Sequence, residues 1–155
     1  MKKIIKLSTF IHNSAYETDI KNAEEMLFNR NTYEFEHKIK VLEELNIAEE
    51  DFVCWDFDYI PLFDLSYADT QRDYLITSCR KDSERILKMH LNDIELEFYF
   101  RKELEFSELR AFWWQHYKRL IKQKAIEWCE DYNIPYEDDM PKTKPLKMIY
   151  APECQ

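Results

Sequence analysis

Alternation of apolar and polar residues predicts three β-strands in this chain. Between residues 3 and 11 the apolar face consists of every second residue: Ile5, Leu7, Thr9 and Ile11. The same period of two recurs over residues 52–60 and, most clearly, over residues 94–101. Pro61 ends the second strand or confines it to the edge of a sheet. The sequence therefore predicts strands near 3–11, 52–60 and 94–101.

A spacing of three to four residues between apolar positions predicts the helices. Ser14 and Glu17 match the capping box that opens a helix. A second helical pattern, in two pieces, begins near residue 66, and Ser107 opens the longest helix, which Asn133-Ile134-Pro135 stops. The expected helices lie near 15–30, 66–91 and 107–132.

The stretch 33–45 fits both periods, and we interpret it as a strand that gives way to a short helix. Helices and strands are mixed irregularly, which is typical of an α+β fold with a small mixed or antiparallel sheet. The length suggests a single domain over residues 1–138. Residues 139–155 contain prolines and lysines and are expected to form an extended tail, with a further edge strand at 147–150.

The absence of glycine excludes several classes of enzyme. None of the 155 residues is glycine, so a P-loop, a dinucleotide-binding turn, a glycine-rich kinase loop and a nucleophile elbow cannot form. The usual calcium loop also requires glycine. Tight turns are expected to use Asn, Asp or Pro in its place. Positive φ is expected first at Asn13, Asn29, Asn31, Asn46, Asn92 and Asn133.

Further features indicate a cytoplasmic protein without cofactor, disulfide or membrane span. Lys6 interrupts the apolar stretch at the amino terminus, and no small-residue cleavage site follows it. No apolar run is long enough to span a bilayer. Four cysteines show no C-x-x-C spacing and are expected to be free thiols: Cys54, Cys79, Cys129 and Cys154.

The negative charge is concentrated in one window. The chain has 22 basic and 31 acidic residues, a net charge of −9. Between Val41 and Gln71 there is no Lys or Arg, but nine acids and six aromatic residues occur there. A second acidic run without a base comprises Glu127, Glu130, Asp131, Glu137, Asp138 and Asp139.

Acidic residues interleaved with aromatic residues are typical of a surface that binds a basic protein. We therefore expect a non-enzymatic interaction module that binds and inhibits a basic, nucleic-acid-handling protein. A nucleic-acid mimic, a phage or mobile-element antagonist of host defence, and an immunity-type inhibitor all suit these properties. The expected contact residues are Glu49, Glu50, Asp51, Trp55, Asp56, Asp58, Tyr59, Asp64 and Asp69.

One alternative is a metal-dependent phosphodiesterase or nuclease. On a strand, Asp56 and Asp58 would project from the same face and could hold a divalent cation, with Asp64 or Asp69 as a third ligand. Glu36-His37-Lys38 also supplies the E-x-K of some nucleases, but no Pro-Asp pair precedes it. The four histidines are isolated in sequence, so no metal or catalytic residue is assigned to them.

A second alternative is direct binding of nucleic acid. Residues 110–124 contain five bases and no acid. A basic-aromatic patch on this helix could contact phosphates and stack bases; it consists of Arg110, Trp114, Lys118, Arg119 and Lys122. The acidic balance of the whole chain disfavours nucleic acid. The basic residues could instead pair with the acidic windows, within the chain or in a homodimer.

Overall fold

The computed structural model describes residues 3–14, 25–78, 81–104 and 108–141, and its elements confirm the α+β class. In chain order these are β1 (Ile5–Lys6), α1 (Leu7–Ser14), β2 (Met26–Asn29), β3 (Glu34–His37), α2 (Lys38–Leu45), β4 (Tyr59–Pro61), α3 (Tyr67–Ser78), α4 (Lys81–Leu87), α5 (Asp93–Leu104), α6 (Glu108–Asp131) and β5 (Tyr136–Glu137). Two 3₁₀ turns cover Glu49–Asp51 and Cys54–Phe57.

Contacts divide the chain into two units. The first comprises Met1–Asp64 and Ile121–Met140, and the second comprises Leu65–Leu120 and Pro141–Gln155. Helix α6 contributes its first half to the second unit and its second half to the first. The predicted tail at 139–155 and its strand at 147–150 lie almost entirely outside the described residues, so the domain boundary at 138 stays a prediction.

A three-stranded antiparallel sheet lies in the first unit, in the order β3-β2-β4. The central strand β2 is buried along most of its length, and its Phe28 pairs with Phe35 on one side and Ile60 on the other. Strand β4 ends at Pro61 and is an edge strand, as the proline predicted. The stretch 33–45 is a strand followed by a short helix, which confirms that interpretation.

The predicted strand over 3–11 is wrong beyond Lys6. Strand β1 has two residues and pairs in parallel with β5, and α1 follows at once. Leu7, Phe10 and Ile11 are buried together, and their i, i+3, i+4 spacing is that of a helix face. The predicted helix 15–30 is also wrong where it can be compared: Ser14 ends α1, and residues 26–29 form β2. Residues 15–24 lie outside the described part of the chain.

An aromatic cluster fills the core of the first unit. Trp128 of α6 meets Phe10 and Phe28 edge-on, with ring centroids 5.2 Å away in both cases. Its indole N–H donates a hydrogen bond of 3.0 Å to the carbonyl oxygen of Pro61. Phe35 contacts the same two phenylalanine rings. The end of α6 is thereby fixed to α1 and to the sheet.

Most of the predicted strand at 52–60 is a turn. Cys54–Phe57 is a 3₁₀ turn and Asp58 is left-handed, so only Tyr59 and Ile60 of that stretch are in β4. The alternating residues do not share one face: Val53 and Trp55 are exposed, whereas Tyr59 is buried. Phe52 and Phe57 pack instead against the buried cluster of Leu27, Val41 and Tyr59.

The described part of the second unit is helical. The two helices expected within 66–91 are confirmed as α3 and α4. Tyr74, Phe100 and Trp113 pack edge-on against one another, with centroids 5.0–6.1 Å apart. The predicted strand at 94–101 is wrong, because these residues form part of α5. In this helix Leu96 and Phe100 are buried, whereas Ile94 and Phe98 are exposed to solvent.

The long helix expected near 107–132 is confirmed as α6, which Asn133 ends in the left-handed conformation. Positive φ values occur at five of the described residues, namely Tyr33, Asn46, Asp58, His90 and Asn133. Two of the six expected asparagines, Asn46 and Asn133, therefore have positive φ, and Asp58 fits the wider expectation of aspartate in turns, whereas Tyr33 and His90 were not expected. None of the helices in the described ranges is long and apolar enough to cross a membrane.

Candidate functional site

The acidic turn at Glu49–Asp51 projects from the first unit. All three side chains are exposed, whereas the next residue, Phe52, packs into the cluster around Val41. The Nζ atom of Lys38 lies 3.1 Å from Oε1 of Glu49. Among the described residues, Glu50 and Asp51 have no such cation. Burial of Phe52 thus holds carboxylates in solvent with little neutralisation.

An exposed tryptophan follows this turn in the sequence. Trp55 is 51% exposed and lies in the second 3₁₀ turn with exposed Asp56. Its ring packs against Tyr132, with centroids 5.6 Å apart, and Tyr132 packs in turn against buried Trp128 at 5.4 Å. A large apolar side chain is therefore held at the surface from beneath, as in an interface anchor.

The contact between Trp55 and Tyr132 also brings the two acidic segments together. Tyr132 follows Glu130 and Asp131, which are both exposed at the end of α6. Neither α6 nor α2 has a basic residue in its last turn. Because the carboxyl end of a helix carries a partial negative charge, acids at these positions add to the negative potential instead of neutralising it.

Two neighbouring carboxylates are tied to the fold. Asp138 accepts from Lys122 Nζ at 3.0 Å, and this bond lowers the pKa of Asp138. Asp139 accepts from the backbone N–H and the hydroxyl of Ser8, which lowers the pKa of Asp139. These carboxylates hold β5 and α1 in place.

Charge separates strongly between the two units. The first unit has 9 basic and 20 acidic residues, a net charge of −11. The second has 13 basic and 11 acidic residues, a net charge of +2. The whole negative balance of the chain therefore resides in the unit that carries Trp55.

The other expected contact residues differ in their surroundings. Tyr59 is buried and its hydroxyl donates to Glu36 Oε2 at 3.2 Å; burial and the Glu36 carboxylate raise the pKa of Tyr59. Tyr59 therefore supports the surface from below. Asp64 is exposed and is the last residue in the first sequence segment of the first unit, whereas Asp69 belongs to the second unit and lies 3.4 Å from Arg72.

Asp56 and Asp58 do not form the pair that a strand would have made. Asp56 lies in a 3₁₀ turn, and Asp58 is left-handed, with its carbonyl oxygen accepting from Arg30 N–H at 2.9 Å. In the described ranges, no group of three or more His, Cys, Asp or Glu could hold a metal ion. Of the E-x-K motif, Glu36 accepts from Tyr59, and Lys38 pairs with Glu49.

The basic-aromatic helix is less uniform than its sequence. Trp114 and Lys118 are exposed, and the side chain of Arg110 is not described. Arg119 is partly buried, and its Nη1 atom has no hydrogen-bond partner in the described part of the chain. Lys122 is largely covered and pairs with Asp138. Internal pairing, one of the two expectations for these bases, therefore holds for Lys122.

The described residues include two free cysteines and a cavity in the second unit. Cys54 and Cys129 are free thiols. Burial raises the pKa of Cys129 to about 12, so this side chain is not a nucleophile near neutral pH and serves to fill the core. Cys79 and Cys154 lie outside the described ranges. A cavity of about 330 Å³ in the second unit is lined by leucines, Ile86, His90 and Arg72. The guanidinium of Arg72 is already held by Asp69, Asp93 and the carbonyl oxygen of Leu91.

An apolar groove on α2 was not foreseen. It has a volume of about 380 Å³ and is lined by Ile39, Leu42, Glu43, Asn46, Ile47 and Ala48. The groove ends at Ala48, immediately before the acidic turn. Its signal in the sequence was Asn46 directly after the helical pattern, because asparagine often takes the left-handed conformation that ends a helix, and an apolar contact frequently accompanies this ending.

The fold and this surface define an α+β protein with an acidic, aromatic face on one of its two units. Comparison with known protein families, with curated proteins and with solved structures finds no match to the chain.

Proposed function

We propose that this protein is a non-enzymatic inhibitor that binds a basic, nucleic-acid-handling protein through the acidic face of its first unit. This acidic face comprises Glu49, Glu50, Asp51, Trp55, Asp56, Glu130 and Asp131. The packing of Trp55 on Tyr132 carries the proposal, because it places a fixed aromatic anchor between two base-free acidic segments. Aromatic anchors supply binding free energy, and carboxylates around them select cationic partners.

Charge supports the same partner class. A net charge of −11 on one unit repels nucleic acid and raises the rate of encounter with cationic proteins. Proteins that handle nucleic acid carry lysines and arginines arranged for phosphates. When the acidic face covers these lysines and arginines, the nucleic acid can no longer reach them. This blockage is the inhibition we propose.

The test compares two double variants. Glu50→Lys with Asp56→Lys reverses two exposed carboxylates and preserves the Lys38–Glu49 pair and the Asp58 turn. Glu84→Lys with Glu97→Lys makes the same charge change in the second unit. Immobilised wild type and both variants are exposed to lysate of the cells that naturally produce the protein, and bound proteins are quantified by mass spectrometry.

We expect the wild type and the second-unit variant to retain a basic nucleic-acid-binding protein that the Glu50/Asp56 variant loses at least tenfold. Added wild-type chain should then reduce the nucleic-acid activity of that purified protein. Equal recovery by all three baits, or a recovered partner that is acidic, would overturn the proposal. Binding without loss of the partner's activity would remove the inhibitory part of it.

A further inference from the structure

The outward face of α2 carries the apolar residues Ile39 and Leu42, although the inward face of the helix is already packed. At about 100° per residue, Ile39, Leu42, Glu43 and Asn46 lie on one side of the helix, opposite buried Val41. Ile39 is 62% exposed. Single exposed apolar residues are common, but here four apolar residues (Ile39, Leu42, Ile47 and Ala48) line one groove.

Hydrogen bonds at the end of α2 fix the shape of this groove. Asn46 takes φ 54° and ψ 48°, and its N–H donates to the carbonyl oxygen of Glu43 at 3.2 Å. The N–H of Ile47 donates to the carbonyl oxygen of Leu42 at 3.1 Å. These two bonds form a Schellman motif, in which the residues at the positions of Leu42 and Ile47 typically meet. The groove wall therefore exists before any ligand binds, which lowers the entropic cost of binding.

The surroundings of the groove are acidic. Glu43 lines it, and Glu49, Glu50 and Asp51 follow its last residue, Ala48. Lys38, the residue before Ile39, is paired with Glu49. Lys40 lies about 100° around the helix from Ile39. An apolar floor with an acidic rim is complementary to a segment that carries apolar residues on one face and cations beside them.

We infer that this groove seats a short amphipathic, basic helix of the protein partner. Leucine or isoleucine side chains of that helix, spaced i, i+4, contact Ile39, Leu42 and Ile47, and its lysines or arginines face Glu43 and the Glu49–Asp51 turn. In helix-in-groove recognition, the apolar face of an amphipathic helix lies in a hydrophobic groove. The inference rests on the proposed function for the sign of the partner's charge and adds the structural element by which the partner docks.

The test uses defined peptides and the full chain. The probe is an amphipathic helix of about 15 leucines and lysines, since shorter helices are marginal in water. One control peptide has the same composition in a scrambled order that removes the apolar face, and another has glutamate in place of lysine. Affinity is measured by isothermal titration calorimetry, and the contact surface by backbone amide chemical shifts.

We expect the leucine-lysine helix to bind with shifts at Ile39, Leu42 and Ile47, and the two controls to bind at least tenfold more weakly. Ile39→Asp should reduce affinity at least tenfold, whereas Ile94→Asp, at a position 82% exposed on α5, should leave it unchanged. Circular dichroism establishes that both variants remain folded.

Three outcomes would overturn the groove assignment: equal binding of the scrambled peptide, shifts confined to Trp55 and its neighbours, or unchanged affinity in Ile39→Asp. Each leaves the proposed function standing if Glu50→Lys with Asp56→Lys still abolishes partner capture. Conversely, full capture by that double variant together with groove-dependent peptide binding would remove the acidic face as the docking site and uphold the groove.

Discussion

Trp55 rests on Tyr132, a residue from the other sequence segment of the first unit, with ring centroids 5.6 Å apart and ring planes inclined by 41°. The contact continues to Trp128 in the aromatic core. A tryptophan supported in this way loses little conformational freedom when a partner covers it. The acidic face is thus organised around a rigid apolar centre.

Replacement of Trp55 should affect binding more than folding. Trp55→Ala removes a half-exposed ring and one aromatic contact, so we expect the free energy of unfolding to fall by about 1–2 kcal/mol. Trp128→Ala opens the core and should cost about 3–5 kcal/mol. Urea denaturation measures both. Trp55→Ala should reduce partner recovery at least tenfold; a cost equal to that of Trp128→Ala would mean that Trp55 is structural.

Asp131→Lys should stabilise the protein and weaken binding. Exposed Asp131 lies in the last turn of α6, where the helix dipole favours a cation. Lysine there should raise the free energy of unfolding by about 0.5 kcal/mol, and Asp131→Asn by less. Recovery of the basic partner should be highest for the wild type, lower for Asp131→Asn and lowest for Asp131→Lys. Lower stability of Asp131→Lys, or unchanged recovery, would contradict the idea that these acids are retained for binding.

Stability should decrease as the pH falls from 7.5 to 5.5, because of His116. This residue is fully buried; desolvation lowers the pKa of His116, Asp73 at 2.9 Å raises it, and Arg119 lowers it. With the net pKa below the unfolded value of about 6.5, the unfolded chain binds a proton that the folded chain resists. The loss begins near pH 6.5, continues towards the folded pKa, and cannot exceed about 1.4 kcal/mol per pH unit for one proton.

His116→Gln provides the control for this pH dependence. Urea unfolding midpoints at pH 7.5 and 5.5 should differ clearly in the wild type and much less in His116→Gln. The lowered pKa values of Asp138 and Asp139 affect stability only below about pH 5. An equal pH slope in both proteins would exclude His116 as its source.

His90→Gly should stabilise the chain. His90 is exposed, with a φ of 50°, a conformation that costs a residue with a Cβ atom about 1–2 kcal/mol. Glycine avoids this cost but loses about 0.5–1 kcal/mol to the entropy of the unfolded chain. We expect a net gain of about 0.5 kcal/mol by thermal or urea denaturation. His90→Ala keeps the backbone penalty, so an equal gain in that variant would refute the explanation.

The strands predicted over residues 3–11 and 94–101 are largely helical in the structure, because an alternation of period two also fits parts of a helix. In α5, Leu96 and Phe100 are buried, whereas Ile94 is 82% and Phe98 69% exposed. Residues four apart share a face in both structures, so only the exposure of Ile94 and Phe98 distinguishes them. The local signal was Asn92, whose Oδ1 accepts from the backbone N–H of Glu95 at 2.9 Å while its side-chain Nδ2–H donates to the Glu95 carboxylate. This N-cap outweighs the alternation.

The sequence was more informative about charge than about neighbours. Acids without nearby bases are expected in solvent, and Glu49, Glu50, Asp51 and Asp56 lie there. The contact of Trp55 with Tyr132 depends on a fold that joins distant segments, and no local pattern encodes it. The 3₁₀ turns also depend on contacts between distant segments, because Phe52 and Phe57 pack against a cluster that contains Val41.

The first unit is discontinuous in sequence, since residues 65–120 separate its two parts. During synthesis from the amino terminus, β1 cannot pair with β5 until β5 has been translated, and Phe28 of the sheet cannot pack against Trp128 until that residue has been translated. Trp55 likewise leaves the ribosome long before Tyr132. A nascent chain therefore presents Trp55 and its neighbouring carboxylates without the support of Tyr132, and the proposed acidic face is complete only after residues 121–140 have been translated. Domains ordinarily fold as units while they emerge; here the order of translation delays assembly of the acidic face.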